Sequence, residues 1–197
     1  MLQTEALARL RILLNETTAG FYTDAQLYEL LDSAQSTKIQ QLLALMKEGR
    51  KLNPYYIPPE LEVLITLDTT NTTTVGSAEQ EYSVPADFLE TYRASYDYTG
   101  ASPYTLYEAT LMSYEDIKKR NANTYEAPTA TRPAYYYKAG KIGFFPQPIG
   151  AHANSFEHYY IKQPSAVASG QAFTLLANTH EEILQIAYQL AKVKDSN

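Results

Sequence analysis

The chain has 197 residues, 45% of them hydrophobic, which is enough for one large domain or a domain with a sizeable insertion, and enough to fill a core. Lys and Arg total 16 against 22 Asp and Glu, and the resulting charge of -6 argues against tight nucleic-acid binding, which rests on clustered cations. The absence of cysteine removes disulfides, thiolate nucleophiles and zinc–thiolate sites together, and fits a reducing compartment. Tyrosine is the compositional outlier, with 18 copies against 6 Phe and no Trp. A large ring with a polar tip suits half-buried strand faces and interfaces.

Residues 2–14 carry Leu2, Ala6, Leu10 and Leu13 at helical spacing, with Glu5, Arg9 and Arg11 elsewhere. These charges interrupt the apolar run, so the segment reads as neither signal peptide nor membrane span. Gly20 closes a polar break. Thr23 followed by Gln26 then forms a capping-box pattern, opening a helix predicted from 24 to about 48. Its apolar positions are Leu27, Leu30, Leu31, Ala34, Ile39, Leu42, Leu43 and Met46, with Gly49 as the expected terminator. At 1.5 Å per residue it would be about 37 Å long.

After residue 53 the pattern changes. Ile57-Pro58-Pro59 reads as a linker that resists helix, 62–67 as a strand, and 69–77 as a loop. Residues 82–88 read as a strand running into a helical turn, with Pro85 at its first position. Residues 90–98 alternate, with Tyr92, Ala94, Tyr96 and Tyr98 on one side; 99–103 is a turn and 104–110 a returning strand. Ser113 caps a short helix to about residue 120. Tyr135-Tyr136-Tyr137-Lys138 and Lys141-Ile142-Gly143-Phe144-Phe145 flank Ala139-Gly140, the pattern of a tight hairpin ended by Pro146 and Pro148. Residues 156–162 form another strand. Thr179-His180-Glu181-Glu182 is a second capping-box pattern, opening a helix with Ile183, Leu184, Ala187, Leu190 and Ala191 as its apolar stripe. The predicted class is α+β: a helical bundle of two N-terminal helices and the C-terminal helix (residues 1–57 and 166–197), carrying a β-rich insertion over 58–165.

Catalytic constellations are scarce. No Gly-rich phosphate loop and no GxSxG elbow occur. His152 and His158 read as solvent-facing or strand residues and His180 as a first-turn helix residue, so no metal site, cofactor or catalytic group is assigned. Asp97, Glu108, Glu115 and Asp116 are the carboxylates that a glycosidase-like pair would need, and they read as solvated faces. Arg93 and Arg132 stand beside tyrosines, at spacing for cation–π contacts.

The order of motifs is more informative than any one of them. An Arg-Leu-Arg helix leads to Phe21-Tyr22-Thr23-Asp24-Ala25-Gln26-Leu27 and Leu30-Leu31-Asp32-Ser33-Ala34-Gln35. Tyr82-Ser83-Val84-Pro85-Ala86-Asp87-Phe88 follows, then Pro133-Ala134-Tyr135-Tyr136-Tyr137, then Ile142-Gly143-Phe144-Phe145-Pro146-Gln147-Pro148, and finally a helix opened by His180-Glu181-Glu182. Over nearly its whole length the chain resembles the head-to-tail adaptor (connector) proteins of tailed bacteriophages, the short-tailed type above all. The resemblance implies a virion neck protein, made in the bacterial host cytoplasm, with no catalytic residues to carry over. It implies a homo-oligomeric ring of about twelve subunits docked under the portal protein and presenting a platform to tail or nozzle proteins. It implies as well that genomic DNA passes through the lumen without specific binding and that no membrane is involved. The segment after Ala191 is short, which speaks against an extensive C-terminal portal contact.

Interface candidates are Leu10, Leu27, Leu31 and Ile39 on the helices, with Tyr135, Tyr136, Tyr137, Phe144 and Phe145 in the hairpin; plain sheet core is the other reading of the last five. A Tyr-rich carbohydrate- or peptide-binding module and a paired-carboxylate hydrolase are the competing functions.

Overall fold

The computed structural model describes residues 2–16, 21–68, 81–97, 105–123, 125–146, 156–167 and 173–195. The expected loop at 69–77, the turn at 99–103, and Tyr98, Tyr104, Pro148 and His152 lie outside them. The described residues form five helices and two sheets, an α+β fold. The chain divides into two compact units, Met1–Leu64 with Pro164–Asn197, and Ile65–Gln163.

The first unit is helical. Helices α1 (Gln3–Leu13), α2 (Asp24–Arg50) and α5 (His180–Asp195) pack on one another, with the short α3 (Pro59–Glu62) against α2. The capping box at the start of α2 forms in full: Gln26 N donates to Thr23 Oγ1 (3.3 Å) and Thr23 N to Gln26 Oε1 (2.9 Å). The buried stripe of α2 is the one its periodicity predicts, with Gln35 added. On α1 the stripe is rotated. Gln3, Ala6 and Leu10 are buried, while Leu2 and Leu13, roughly 60–80° round the helix from Leu10, are exposed. The Arg11 guanidinium pins the α1–α2 turn by bonding Glu16, Asp24 and the Tyr22 carbonyl, and Glu16 in turn accepts from the Phe21 and Tyr22 amides. Tyr22 Oη closes the far end of this packing by donating to the Ala191 carbonyl of α5 (3.2 Å).

Three local expectations are corrected. Pro59 does not resist helix but opens α3 at the first helical position, where a missing N–H costs nothing, so the strand begins at Ile65 rather than at 62. Thr179 makes no capping box: its hydroxyl donates to the Leu176 carbonyl (2.7 Å), closing a 3-10 turn, Ala177–Thr179, from which α5 continues. Gly49 does not end α2 either. It sits in the last turn, directly under the Tyr56 ring, where an added Cβ would overlap the ring atoms, and Arg50 Nε holds the returning chain through the Tyr56 carbonyl (3.3 Å).

The second unit is β, with one short helix. Strands β1 (Ile65–Leu67), β8 (Phe156–Lys162), β3 (Phe88–Tyr96) and β4 (Tyr107–Glu108) form an antiparallel sheet in the order β1-β8-β3-β4. Strands β2 (Glu81–Ser83), β7 (Lys141–Phe145), β6 (Ala134–Lys138) and β5 (Thr110–Leu111) form the second, in the order β2-β7-β6-β5, with β5 parallel to β6. The expected returning strand at 104–110 is therefore split. Ala109 N donates to Ala94 O in the first sheet, and one residue later Thr110 N donates to Pro133 O beside the second. The sheets face each other across Ala94, Tyr96 and Phe156 on one side and Tyr135, Ile142 and Phe144 on the other. Helix α4 (Tyr114–Asn121), capped by Ser113 Oγ on the Asp116 amide (3.0 Å), covers the opposite face of the second sheet through Ile117.

Two irregularities position side chains. A register shift in β3 between Thr91 and Arg93 puts Thr91 and Ala94 both on the inter-sheet side, although residues three apart in a regular strand face opposite ways. The β6–β7 turn places Ala139 (φ 50°) and Gly140 (φ 74°) both in left-handed conformations, as a primed two-residue turn requires.

Two stability measurements follow. Gly49→Ala, which would stabilise an ordinary exposed helix position by up to about 1 kcal/mol, is expected to destabilise here by about 1–2 kcal/mol, because the Tyr56 ring must leave its seat. Ala139→Asn is expected to stabilise by about 1 kcal/mol, since Asn tolerates the left-handed conformation that strains Ala. Urea titration of each variant checks the sign.

Candidate functional site

The structure separates the interface candidates by burial. Leu10, Leu27, Leu31 and Ile39 are core residues of the helical unit, turned inward by the same 3.6-residue period that made them conspicuous. Tyr135 and Phe144 lie buried between the two sheets, with Tyr137 half-buried beside them. Tyr136 points the other way and is buried with Ala134 and Ile117 under α4, where Phe145 packs half-buried. Three consecutive tyrosines are therefore all covered because both faces of their sheet are. The Tyr136 ring lies over Gly143, its cross-strand partner, where no Cβ would fit.

The carboxylates do not assemble into a pair with an acid/base role. Asp97 is buried and accepts from the Thr105 amide (2.8 Å), Asp116 accepts from the Ser113 hydroxyl at the α4 cap (2.7 Å), and Glu108 and Glu115 are exposed. Among the described residues no group of three or more His, Asp or Glu is placed to hold a metal ion. The cation–π contacts among them are made by lysines: Lys118 and Lys138 over Tyr114, and Lys192 over Tyr188.

A polar thread crosses the β unit, which the sequence reading missed. His158, expected as a solvent-facing or strand residue, is on a strand but wholly buried. Its ring lies between Phe156 and Tyr160, two residues away on either side, with Phe88 close to it as well. Nε2 lies 2.8 Å from Thr91 Oγ1, Thr91 contacts Tyr137 Oη on the facing sheet, and Nδ1 lies 3.6 Å from the buried Asp68 carboxylate. Carboxylate, imidazole and hydroxyl follow in the order used by hydrolytic triads. Here, though, the hydroxyl is buried and covered by Tyr137, so no substrate reaches it. The thread instead joins the sheets. Desolvation lowers the His158 pKa below its ordinary value, against the opposing pull of Asp68, so the ring is held neutral. Burial raises Tyr137 and Tyr136, the latter further through its bond to Glu81; Tyr160 is pushed up to about 12 by burial and its bond to Asp87. The only advance signal for the thread was a histidine in a strand of aromatic residues.

Several large apolar side chains remain exposed among the described residues. On the helical unit, Ile12 (71% exposed) and Leu13 lie with Arg9, Glu181, Leu184 and Gln185 in a shallow groove between α1 and α5, closed at one point by the Arg9–Glu181 ion pair. Leu52 (93%) and Tyr55 stand out beyond the end of α2. On the β unit, the run from Glu108 to Met112 forms one wall of a cleft of about 390 Å³, and residues 125–133 form much of the other. Tyr125 (94%) and Leu111 (52%) are exposed in this region.

Compared with protein families, residues 1–196 match the model of the SU10 adaptor protein. The chain belongs to the SU10 adaptor protein family. It is thus a phage adaptor, a class of neck component that associates with portal and tail proteins. None of the curated proteins compared with this adaptor matches it. No described helix of the adaptor is long and apolar enough to cross a membrane.

The thread gives the adaptor a pH signature. Because the folded His158 pKa is depressed, the unfolded chain takes up its proton first as pH falls below about 6.5, and stability drops with it. Melting by circular dichroism from pH 7.5 to 5 is expected to show a falling melting temperature, and His158→Gln is expected to flatten that decline while lowering stability at pH 7.5.

Proposed function

We propose that this adaptor assembles as a ring of about twelve subunits beneath the portal, docks tail or nozzle proteins on its free side, and lets the genome pass through its lumen, with no enzymatic step. The observation that carries this reading is the adaptor-family match over residues 1–196. The surfaces support it. A ring closes only through a heterologous contact, in which two different patches of one subunit meet. The α1–α5 groove of the helical unit and the Tyr125 cleft of the β unit are two such patches, each joining exposed apolar side chains to a few charges. The competing readings lose their footing in the same geometry. The tyrosines that would line a sugar-binding face at 135–137 are buried or half-buried, and of the carboxylates considered for a hydrolytic pair, Asp97 is buried on the Thr105 amide, Asp116 sits at the α4 cap, and Glu108 and Glu115 are exposed. The virion neck is the proposed location, after synthesis in the host cytoplasm.

Native mass measurement of the chain alone and mixed with its portal ring tests the proposal. The expected species is a complex of one portal ring with about twelve adaptor subunits. Ile12→Asp with Leu13→Asp, and separately Tyr125→Asp, are expected to leave the melting temperature within about 2 °C of the parent, since these side chains are exposed, and to cut assembly at least tenfold. An unchanged monomer in the presence of the portal would refute the ring.

A further inference from the structure

Five of the chain's 16 cationic side chains stand on α4 and the β6–β7 hairpin, and three of these gather around or beside one tyrosine ring. Lys118 Nζ stands 4.5 Å and Lys138 Nζ 4.6 Å from the centre of the same Tyr114 ring, which itself packs on Tyr136 at 4.9 Å. Lys141 faces Lys138 directly across the β6–β7 hairpin, and Lys119 and Arg120 complete the last turn of α4. All five are exposed. The acidic groups nearby only partly offset them: Arg120 shares the lining of the β-unit cleft with Glu108 and Glu126. Glu81 lies 3.7 Å from Lys138 and also accepts from Tyr136, Asp116 is turned back onto Ser113, and Glu115 is exposed at the other end of α4. Favourable placement at a helix C-terminus accounts for the three cations of α4. It does not account for Lys138 and Lys141, which belong to the hairpin, nor for their meeting the α4 lysines around one ring.

We propose that this corner, built on Tyr114 from Lys118, Lys119, Arg120, Lys138 and Lys141, contacts the phosphate backbone of double-stranded DNA. Two features favour a phosphate backbone over an acidic protein surface. Four of the five cations are lysines, which are depleted at protein–protein interfaces and act as hydrated point charges on flexible stems, without the planar fork that fixes a carboxylate. None of the large apolar side chains that are exposed belongs to α4, β6 or β7, so the corner has no apolar centre around which a protein interface could dry. The contact is independent of sequence, because nothing here reaches a base edge, and weak, because the rest of the chain is acidic. The inference deepens the adaptor reading and rests on it for the source of the DNA. One subunit supplies a brief, salt-sensitive touch, and a ring supplies many at once, enough to guide a moving duplex without holding it.

The test uses the full chain with a fluorescently labelled 30-base-pair duplex of arbitrary sequence, read by anisotropy between 50 and 200 mM salt. The parent is expected to bind at 50 mM and to lose roughly 40- to 500-fold in affinity by 200 mM, as three to five phosphate contacts dictate. The triple variant Lys118→Glu, Lys138→Glu, Lys141→Glu is expected to bind at least tenfold more weakly. A charge-matched control, Lys47→Glu, Lys51→Glu, Lys194→Glu on the helical unit, is expected to change affinity less than threefold. The neutral triple Lys118→Gln, Lys138→Gln, Lys141→Gln guards against misfolding and is expected to lower the salt slope by about 3. No binding by the parent at 50 mM overturns the inference, and so does equal weakening in the control. So does capture of a poly-glutamate peptide at the corner without capture of DNA, which would make the partner a protein. Mass measurement of the same preparations keeps the two readings apart: a ring that ignores DNA sinks only this contact, and a monomer that binds DNA through the corner sinks only the ring.

Discussion

A buried tyrosine hydroxyl must find a hydrogen-bond partner or cost on the order of 1–3 kcal/mol, and this chain fills its β unit with tyrosine while using no tryptophan at all. Much of the architecture of that unit answers this constraint. Phe144 sits among the rings of Tyr82, Tyr96, Tyr135 and Phe156, and the apolar bodies of those rings make the inter-sheet core. The hydroxyls at its margins then dictate the polar placements. Glu81 on an edge strand receives Tyr136, Asp87 in the turn before β3 receives Tyr160, and Thr91, brought inward by an irregular register, meets Tyr137 and links it to His158. The helical unit uses the same device where Tyr22 ties the start of α2 to the end of α5.

Local chemistry was legible in the sequence where a single turn or cap decides the outcome. The Thr23–Gln26 box, the Ser113 cap, the Ala139–Gly140 hairpin and the strand at 156–162 all stand where short-range patterns put them. What the pattern could not show was depth. The run Tyr135-Tyr136-Tyr137 resembles a strand with one wet face, and only the arrival of α4, 14 residues earlier in the chain, buries the other. The same holds for Gly49. Its residue type signals a helix end, but the Tyr56 ring that needs the missing Cβ comes from chain that has already turned back. His158 was unreadable for a related reason, since its partners lie 67 residues away in β3 and, at Asp68, still further off.

The interface residues show the same limit from the opposite side. Periodicity finds the apolar stripe of a helix, and that stripe is what the fold consumes first: Leu10, Leu27, Leu31 and Ile39 serve the helical core. The large apolar side chains left exposed include ones that break the period, such as Ile12 on α1, or that stand beyond an element's end, such as Leu52. In a protein whose work is association, the informative apolar residues are the misfits of the pattern.

Strands β4 and β5 are only two residues long each, and they are consecutive in the chain, one finishing the first sheet and the other the second. Such stubs offer too few free backbone groups to template another strand. An open sheet edge invites growth without limit, strand upon strand. Here that side of both sheets is cut short at once by a single crossing of the chain, so any contact with another protein there is left to side-chain surfaces rather than to backbone.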